Sequence, residues 1–208
     1  GKTLSTYDIP KGTVGSKINY STTETINNYE KQGYVLVSNN YPTDAVYKVS
    51  GNDYQVHLVE GVQPITPDTP PTDVPTGTPE NAQPSALKKD VSLTVKYVNS
   101  DGSQFTGTVP ANASQSLNFS GEAYVSKVTG KLVNAKQDAK GQWIVDSSNT
   151  ATPEITWTPE SSSFSEVVSP VEAGYYLKNI SSHEAGNNVE AISGITHTSD
   201  NVEVTVTY

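Results

Sequence analysis

The sequence contains no cysteine, no methionine and no arginine among its 208 residues. Without cysteine there is no disulfide scaffold, no thiolate metal site and no cysteine nucleophile. All 13 basic residues are lysines, against 22 acidic residues, and the formal charge of −9 does not suit nucleic acid, whose phosphates bind clustered basic side chains. No apolar run approaches the roughly 18 residues that a membrane span needs. The lack of an initiator Met and of a signal peptide favours a fragment of a larger protein.

The residues that are abundant are those of β-strands. Valine occurs 24 times against 8 leucines, serine and threonine together fill 48 positions, and there are 12 tyrosines. β-Branched and aromatic side chains pack well on a pleated surface, and hydroxyl side chains suit its solvent face. We therefore expect an α+β protein that is predominantly β.

A proline-rich stretch divides the chain. Seven of the 13 prolines lie between Pro64 and Pro84, interleaved with Thr, Asp and Gly. Proline cannot donate to a sheet ladder and favours the extended polyproline II conformation, which is typical of a semi-rigid spacer. This predicts a small domain over residues 1–62, a spacer over 63–88 and a larger domain over 89–208.

The first domain contains the one strong helix signal, over about residues 21–32. Ser21 and Glu24 form an S-x-x-E capping box, and Gly33 stands where a helix often ends in a left-handed residue. Alternating patterns and turn residues predict strands on both sides of it. These strands cover 3–9, 13–20, 34–38, 44–49 and 54–60.

The second domain is predicted to be almost entirely strand. Val202, Val204, Val206 and Tyr208 alternate with polar residues, which indicates a half-buried closing strand over 201–208. A Ser-Pro-Val-Glu segment at 169–172 predicts a one-turn helix that Gly174 ends. The other predicted strands cover 91–98, 114–120, 123–128, 142–146 and 154–158.

No pattern points to catalysis, to a metal or to a cofactor. His57, His183 and His197 have no ligand spacing, and His57 is expected to face solvent from its strand. A calcium site built from Asn99, Asp101 and Ser103 is conceivable, but an Asn-Ser-Asp-Gly sequence is more typical of a turn. We expect a protein that is not an enzyme.

The aromatic residues are the best candidates for binding. Trp143 and Trp157 alternate with Val145 and Ile155 and are expected to face the core. Tyr41, Tyr47 and Tyr124 flank polar turns or edge strands, where a tyrosine ring can stack on a sugar and its hydroxyl can form a hydrogen bond. These three tyrosines are the predicted ligand-binding residues.

Several segments resemble a known family. LTVKYVNSDGS (93–103), WTPESSSFSEVVSPVEAGYYL (157–177) and VEVTVTY (202–208) resemble MucBP-type mucin-binding domains, and residues 12–42 resemble the smaller N-terminal domain of the Mub repeat. Mub repeats belong to mucus-binding surface proteins of lactobacilli. The resemblance implies two β-grasp (ubiquitin-like) domains in tandem in an elongated repeat. It also implies a cell-wall-anchored, extracellular adhesin that binds mucin glycoproteins, and an association with immunoglobulin binding.

Three functions remain open at this point. The first is a non-enzymatic adhesin repeat that binds mucin glycans as a monomer within a multi-repeat chain, where weak sites gain by avidity. The second is an immunoglobulin-binding module that adds a strand at an exposed edge such as 44–49. The third is a passive stalk that projects a distal adhesive tip.

Overall fold

The computed structural model describes all residues, 1–208, and is mostly β with a single α-helix, α1 (Thr23–Lys31). The predicted predominance of β structure is confirmed. Four short 3-10 helices cover Pro71–Asp73, Glu80–Ala82, Pro84–Leu87 and Ala111–Ala113. The strands are β1 (Tyr34–Asn39), β2 (Val56–Glu60), β3 (Val62–Ile65), β4 (Lys88–Val98), β5 (Ser114–Ser126), β6 (Ala135–Gln137), β7 (Trp143–Val145), β8 (Thr156–Thr158), β9 (Ser162–Phe164), β10 (Asn179–Ile180), β11 (Glu184–Ala185), β12 (Asn188–Val189), β13 (Ile192–Ile195) and β14 (Val202–Thr207).

The chain forms two compact units that do not follow sequence order. Unit 1 comprises Gly1–Pro64, Pro75–Thr78 and Tyr124–Pro153. Unit 2 comprises Ile65–Val74, Pro79–Ala123 and Glu154–Tyr208. Each unit is therefore assembled from three separate stretches of chain.

In unit 1, α1 leads directly into the antiparallel pair β1–β2. The helix buries Ile26 and is followed by Gly33, whose φ of +108° is the left-handed conformation that glycine adopts without strain. The predicted capping box is wrong: the N-cap is Thr22, which makes no side-chain cap bond. Ser21 lies one residue too early, and its hydroxyl instead accepts the Thr23 N–H at 3.2 Å.

Three strands predicted in unit 1 are not formed as strands. Residues 3–9 have no regular structure. The segments 13–20 and 44–49 are reduced to a single bridge between Lys17 and Val46. Pairing stops there because Asn52 bonds both the N–H and the C=O of Lys48 through its side chain, which turns the chain away.

The proline-rich segment is more structured than a bare spacer. Pro70 and Pro79 have the dihedral angles of polyproline II, as predicted, but each is followed by a turn of 3-10 helix. Ala82 and Leu87 are fully buried. Apolar residues between the prolines therefore pack against other parts of the chain.

In unit 2, the sheet order is β10–β14–β4–β5, with β8 also paired to β5. β14 is parallel to β4, with Val202 opposite Leu93, and the other pairs are antiparallel. The predicted alternation of β14 is confirmed, because Val204, Val206 and Tyr208 are buried. The core consists of Val91, Leu93, Val95, Ala113, Phe119, Phe164, Val167, Ile180, Val189, Ile195, Val204, Val206 and Tyr208.

Two further predictions about secondary structure are wrong. The strands expected at 114–120 and 123–128 are one continuous strand, β5, because Gly121 continues it without a turn. The helix expected at 169–172 is absent, because Glu172 is buried and its carboxylate is used by a distant loop.

The two tryptophans differ from each other in their packing. Trp157 packs against the core of unit 2, as predicted. Both rings are half-buried, but Trp143 packs on Tyr124, and the buried residue of β7 is Ile144. The expectation that Trp143 faces the core is therefore wrong.

Candidate functional site

Four tyrosine rings form a continuous cluster in unit 1, here called the tyrosine cluster: Tyr7, Tyr20, Tyr41 and Tyr54. Tyr7 stacks on Tyr20 with ring centroids 4.1 Å apart and an interplanar angle of 5°. Tyr20 and Tyr54 each meet Tyr41 edge to face, at 5.7 Å and 5.1 Å. Such geometries are favourable for aromatic pairs, so the rings hold one another in place.

Tyr41 is the centre of this cluster. Its hydroxyl donates to the backbone carbonyl of Tyr20 at 2.9 Å, which fixes the ring between Tyr20 and Tyr54. Burial raises the pKa of Tyr41, and the neighbouring hydroxyls of Tyr54, Tyr20 and Tyr47 raise it further. Tyr41 therefore remains a neutral hydrogen-bonding group at physiological pH.

Tyr47 lies close enough to affect the pKa of Tyr41 and is held by the N-terminal segment. Its hydroxyl donates to the Pro10 carbonyl at 2.6 Å. Gly12 lies flat against the ring, and a Cβ at this position would overlap the ring atoms. The irregular segment 3–12 is thus tied to the predicted binding residue Tyr47.

The tyrosine cluster consists of three half-buried rings and one exposed ring. Tyr7 is 56% exposed and has only one ring face covered by Tyr20. Tyr20, Tyr41 and Tyr54 are half-buried. A flat ring beside phenolic hydroxyls offers apolar contact and hydrogen bonding together, which is what a sugar ring requires.

The structure brings together two of the three predicted binding residues. Tyr41 and Tyr47 lie near each other, whereas the Tyr124 ring packs on Trp143 with centroids 4.9 Å apart. Sequence reasoning missed Tyr7, Tyr20 and Tyr54, which are far from Tyr41 in sequence. The only signal for them was the high tyrosine count.

The turn at 99–103 in unit 2 is closed by its own side chains. Asp101 accepts bonds from the Ser103 N–H and hydroxyl and from the Tyr175 hydroxyl. The hydrogen bond from the Ser103 hydroxyl lowers the pKa of Asp101 most, followed by the hydrogen bonds from the Ser103 backbone N–H and the Tyr175 hydroxyl. The Asn99 amide donates to the Ser103 hydroxyl at 3.1 Å. Asn99, Asp101 and Ser103, which could also have formed a calcium site, thus form an ordered turn instead.

A buried carboxylate fastens this turn to a distant segment. Glu172 is 2% exposed, and its Oε1 accepts the Asn99 amide at 2.8 Å and the Thr106 N–H at 3.0 Å. The Thr106 hydroxyl also donates to it, at 3.2 Å. One carboxylate oxygen therefore holds both ends of the 99–106 loop.

An aromatic group lies beside this carboxylate. Phe105 lies between Tyr97 and Tyr208, with centroid distances of 5.3 Å and 5.1 Å. The Tyr97 ring is half-buried, but its hydroxyl is fully covered and has no hydrogen-bond partner. Burial, with a smaller effect of Tyr208, raises the pKa of Tyr97 to about 12.

The raised pKa of Tyr97 predicts a loss of stability in alkali. In the unfolded chain the phenol ionises near pH 10, whereas in the folded chain it keeps its proton up to about 12. The stabilisation that this pKa difference contributes is complete below pH 10 and is lost as the pH rises to 12. We expect the loss in the free energy of unfolding to be about 1–2 kcal/mol, allowing for solvent screening of a half-buried ring. Unfolding midpoints measured from pH 8 to 12 should fall less steeply for Tyr97→Phe. Tyr176→Phe, at an exposed position, should behave as the parent.

The histidines and the acidic residues form no further centre. His57 is exposed on β2, as predicted, and the His197 ring stacks on Trp157 at 4.1 Å. No group of three or more His, Cys, Asp or Glu side chains is placed to hold a metal ion.

None of the helices combines the length and the apolar character needed to cross a membrane.

Two family models match the chain. Residues 1–60 match a family described as a mucin binding domain, and residues 82–208 match the Muc B2-like domain family. The chain therefore belongs to the Muc B2-like domain family, whose members are mucus-binding adhesin repeats rather than enzymes. The resemblance to Mub repeats found in the sequence is confirmed.

Two solved structures are similar to the chain. The crystal structure of Mub-RV is 25% identical, covers 100% of this chain and 91% of its own, and gives a TM-score of 0.64. The type 2 repeat of the mucus binding protein MUB from Lactobacillus reuteri is 19% identical, covers 95% of this chain and 87% of its own, and gives a TM-score of 0.42. A comparison with curated protein sequences finds no match.

Proposed function

We propose that this chain is a non-enzymatic adhesin repeat that binds mucin glycoproteins through the tyrosine cluster. The observation that carries the proposal is the set of four mutually packed rings that ends in the exposed Tyr7. The family matches to mucin-binding domains support the class of partner.

The tyrosine cluster suits weak and repeated contacts with sugars. Its rings are already held by one another and by the Tyr41 hydrogen bond, so little side-chain freedom is lost on binding. Tyr47, tied to Pro10, extends the surface, and the Tyr124–Trp143 pair provides a second aromatic surface in the same unit. No cofactor or metal takes part in this proposal.

Removing the exposed ring or the central ring of the tyrosine cluster is expected to weaken mucin binding. Tyr7→Ala deletes the ring that is available to a sugar, and Tyr41→Ala deletes the ring against which Tyr20 and Tyr54 pack. A lost ring contact worth about 0.7–1.4 kcal/mol corresponds to a dissociation constant about threefold to tenfold weaker. The measurement is surface plasmon resonance on immobilised purified mucin. Tyr176→Ala, an equally simple change at an exposed tyrosine of unit 2, serves as the control and should bind as the parent does.

Circular dichroism should show that both cluster variants keep the parent secondary structure. Tyr7→Phe, which keeps the ring, should retain most of the binding. If both alanine variants bind mucin as tightly as the parent, the tyrosine cluster is not the binding surface.

We propose that the architecture is two β-grasp modules, with limits near 1–62 and 89–208 and a spacer over 63–88. The parallel pairing of β4 with β14 between antiparallel neighbours supports a β-grasp arrangement for the second module. Expression of the fragment 89–208 on its own tests these domain boundaries. A cooperative unfolding transition of this fragment is expected, and a fragment without one would contradict them.

The same proposal places the repeat outside the cell, in a wall-anchored protein that carries several copies. A monomeric repeat with weak sites gains affinity when it is linked to others, because later contacts become intramolecular. Two linked copies should therefore be retained on mucin more than additively, and purely additive retention would contradict this arrangement.

A second candidate function, immunoglobulin binding by strand addition, is favoured by the outer edge of β1. The Gly61 N–H donates to the Gly33 carbonyl, so the alternation of an antiparallel pair points the backbone groups of Tyr34 and Leu36 away from β2. No strand pairs with that edge, and Val37 is 62% exposed. Unpaired edges of this kind accept an added strand.

Proline scanning tests the edge of β1. Leu36→Pro removes an outward N–H and should abolish immunoglobulin binding while the fold is kept. Val35→Pro removes an inward N–H and should disturb the β1–β2 pair itself. Immunoglobulin binding by Leu36→Pro equal to that of the parent would exclude the edge. A repeat that binds neither mucin nor immunoglobulin would be a passive stalk.

A further inference from the structure

A polar cleft in unit 2 shares no residue with the tyrosine cluster or with the edge of β1. It has a volume of about 410 Å³, within the roughly 300–1,000 Å³ of ligand clefts. Its polar lining comprises three hydroxyl residues and three charged ones: Thr66, Ser120 and Thr158, and Asp68, Lys88 and Glu122. Pro67 and Gly121 complete the lining, and no aromatic or large aliphatic side chain contributes to it.

The floor of this cleft is held by three paired strands. Ser120 on β5 lies directly opposite Lys88 on β4 and directly opposite Thr158 on β8. Residues in register across a sheet point to the same face, so these three side chains form one row. Gly121, the next residue of β5, is buried, and a Cβ on it would meet Leu87 and Trp157 on the opposite face.

The wall of the cleft is a tight, hydrogen-bonded turn. The Thr66 N–H donates to the Thr69 hydroxyl at 2.8 Å, and the Thr69 N–H donates to the Thr66 carbonyl at 3.1 Å. Asp68 lies inside this turn with its side chain exposed. A rigid floor and a rigid wall keep the polar groups in position before any ligand arrives.

The charges of the cleft select the class of ligand. Two carboxylates, Asp68 and Glu122, disfavour an anionic group, while Lys88 disfavours a divalent cation between them. Carboxylates accept hydrogen bonds from hydroxyl groups, and lysine donates to hydroxyl oxygens. A neutral molecule with several hydroxyl groups can donate hydrogen bonds to Asp68 and accept them from Lys88, and it carries no charge for Glu122 to repel.

We propose that this cleft is a binding site for a neutral saccharide, such as an uncharged hexose of a glycan chain. The inference rests on the proposed binding of mucin glycoproteins, and it adds a second sugar-binding site, in unit 2, to the tyrosine cluster of unit 1. The class of sugar follows from the charges: a neutral ring binds, and an acidic sugar is excluded by Asp68 and Glu122.

Nuclear magnetic resonance titration of the full chain with methyl β-galactoside tests the site. Amide shifts are expected at Ser120, Gly121 and Glu122, and N-acetylneuraminic acid should bind these residues about tenfold more weakly or not at all. Ser120→Leu fills the cleft and should weaken methyl β-galactoside binding about tenfold or more. Ser116→Leu is the matched control, because Ser116 is exposed on the same face of β5 but lies outside the cleft.

Three results would overturn the assignment. They are no shift at the cleft amides, equal binding of the acidic sugar, and equal loss in Ser116→Leu and Ser120→Leu. Mucin retention on the sensor surface separates the two proposals. If the parent chain binds mucin but shows no cleft shifts, the cleft assignment fails and the proposed function stands. If cleft shifts occur but the parent does not bind mucin, the proposed function fails and the saccharide site stands.

Discussion

Replacement of Glu172 by alanine is expected to lower the free energy of unfolding by about 3–5 kcal/mol. The change leaves the buried Asn99 amide and the partly buried backbone N–H of Thr106 without their carboxylate acceptor. Buried polar groups deprived of a partner are among the most destabilising defects in proteins. At about 2–4 °C for each kcal/mol in a chain of this size, calorimetry should show a large fall in Tm.

A conservative variant and an exposed control sharpen this test. Glu172→Gln keeps an acceptor oxygen for Asn99 and Thr106 and should lose roughly half as much stability. Glu154→Ala changes an exposed glutamate and should stay within about 0.5 kcal/mol of the parent. A Tm for Glu172→Ala equal to that of Glu154→Ala would show that the 99–106 loop does not depend on this carboxylate.

Replacement of Gly130 by alanine is expected to cost about 2–4 kcal/mol. Gly130 has a φ of +75°, and a Cβ on it would collide with the backbone of Thr76 and Gly77. Backbone atoms cannot yield as the end of a side chain can, so the contact between 75–78 and 129–130 must open. Urea unfolding measures the loss.

Gly141 is a matched control for the backbone conformation alone. Its φ of +78° is nearly the same, but nothing lies within 4 Å of a Cβ on it. Gly141→Ala should therefore cost only the roughly 1–2 kcal/mol of a left-handed residue with a side chain. Equal losses at the two positions would mean that the segment 75–78 does not pack closely on Gly130.

The local patterns that predicted correctly were those with strong periodicity. Apolar and polar residues alternate strictly along β14, and its apolar face is buried. Only one pairing register places those apolar side chains on the core side of the sheet. α1 was found because Gly33 marks its end, although the helix begins after Thr22 rather than Ser21. Short weak patterns failed: residues 3–9 have strand composition but no regular structure, and 44–49 pairs with 13–20 only through a single bridge.

The binding surface was only partly visible before folding. Tyr41 and Tyr47 flank turns in the sequence, and the structure places them near each other. Tyr7, Tyr20 and Tyr54 lie on separate segments, and no spacing rule connects them. The cleft likewise joins the turn at 66–68 to residues 88, 120–122 and 158, and strand pairing brings the latter together.

The sequence alone determined the class of this protein. Its excess of valine, threonine and tyrosine was sufficient to predict a mostly β chain, and its Mub-like segments were sufficient to predict the family. Only the tertiary structure decided which residues meet. Contacts such as Glu172 with Asn99 and Tyr7 with Tyr20 join distant positions. Local propensity carries no information about them, because burial and strand register are properties of the whole fold.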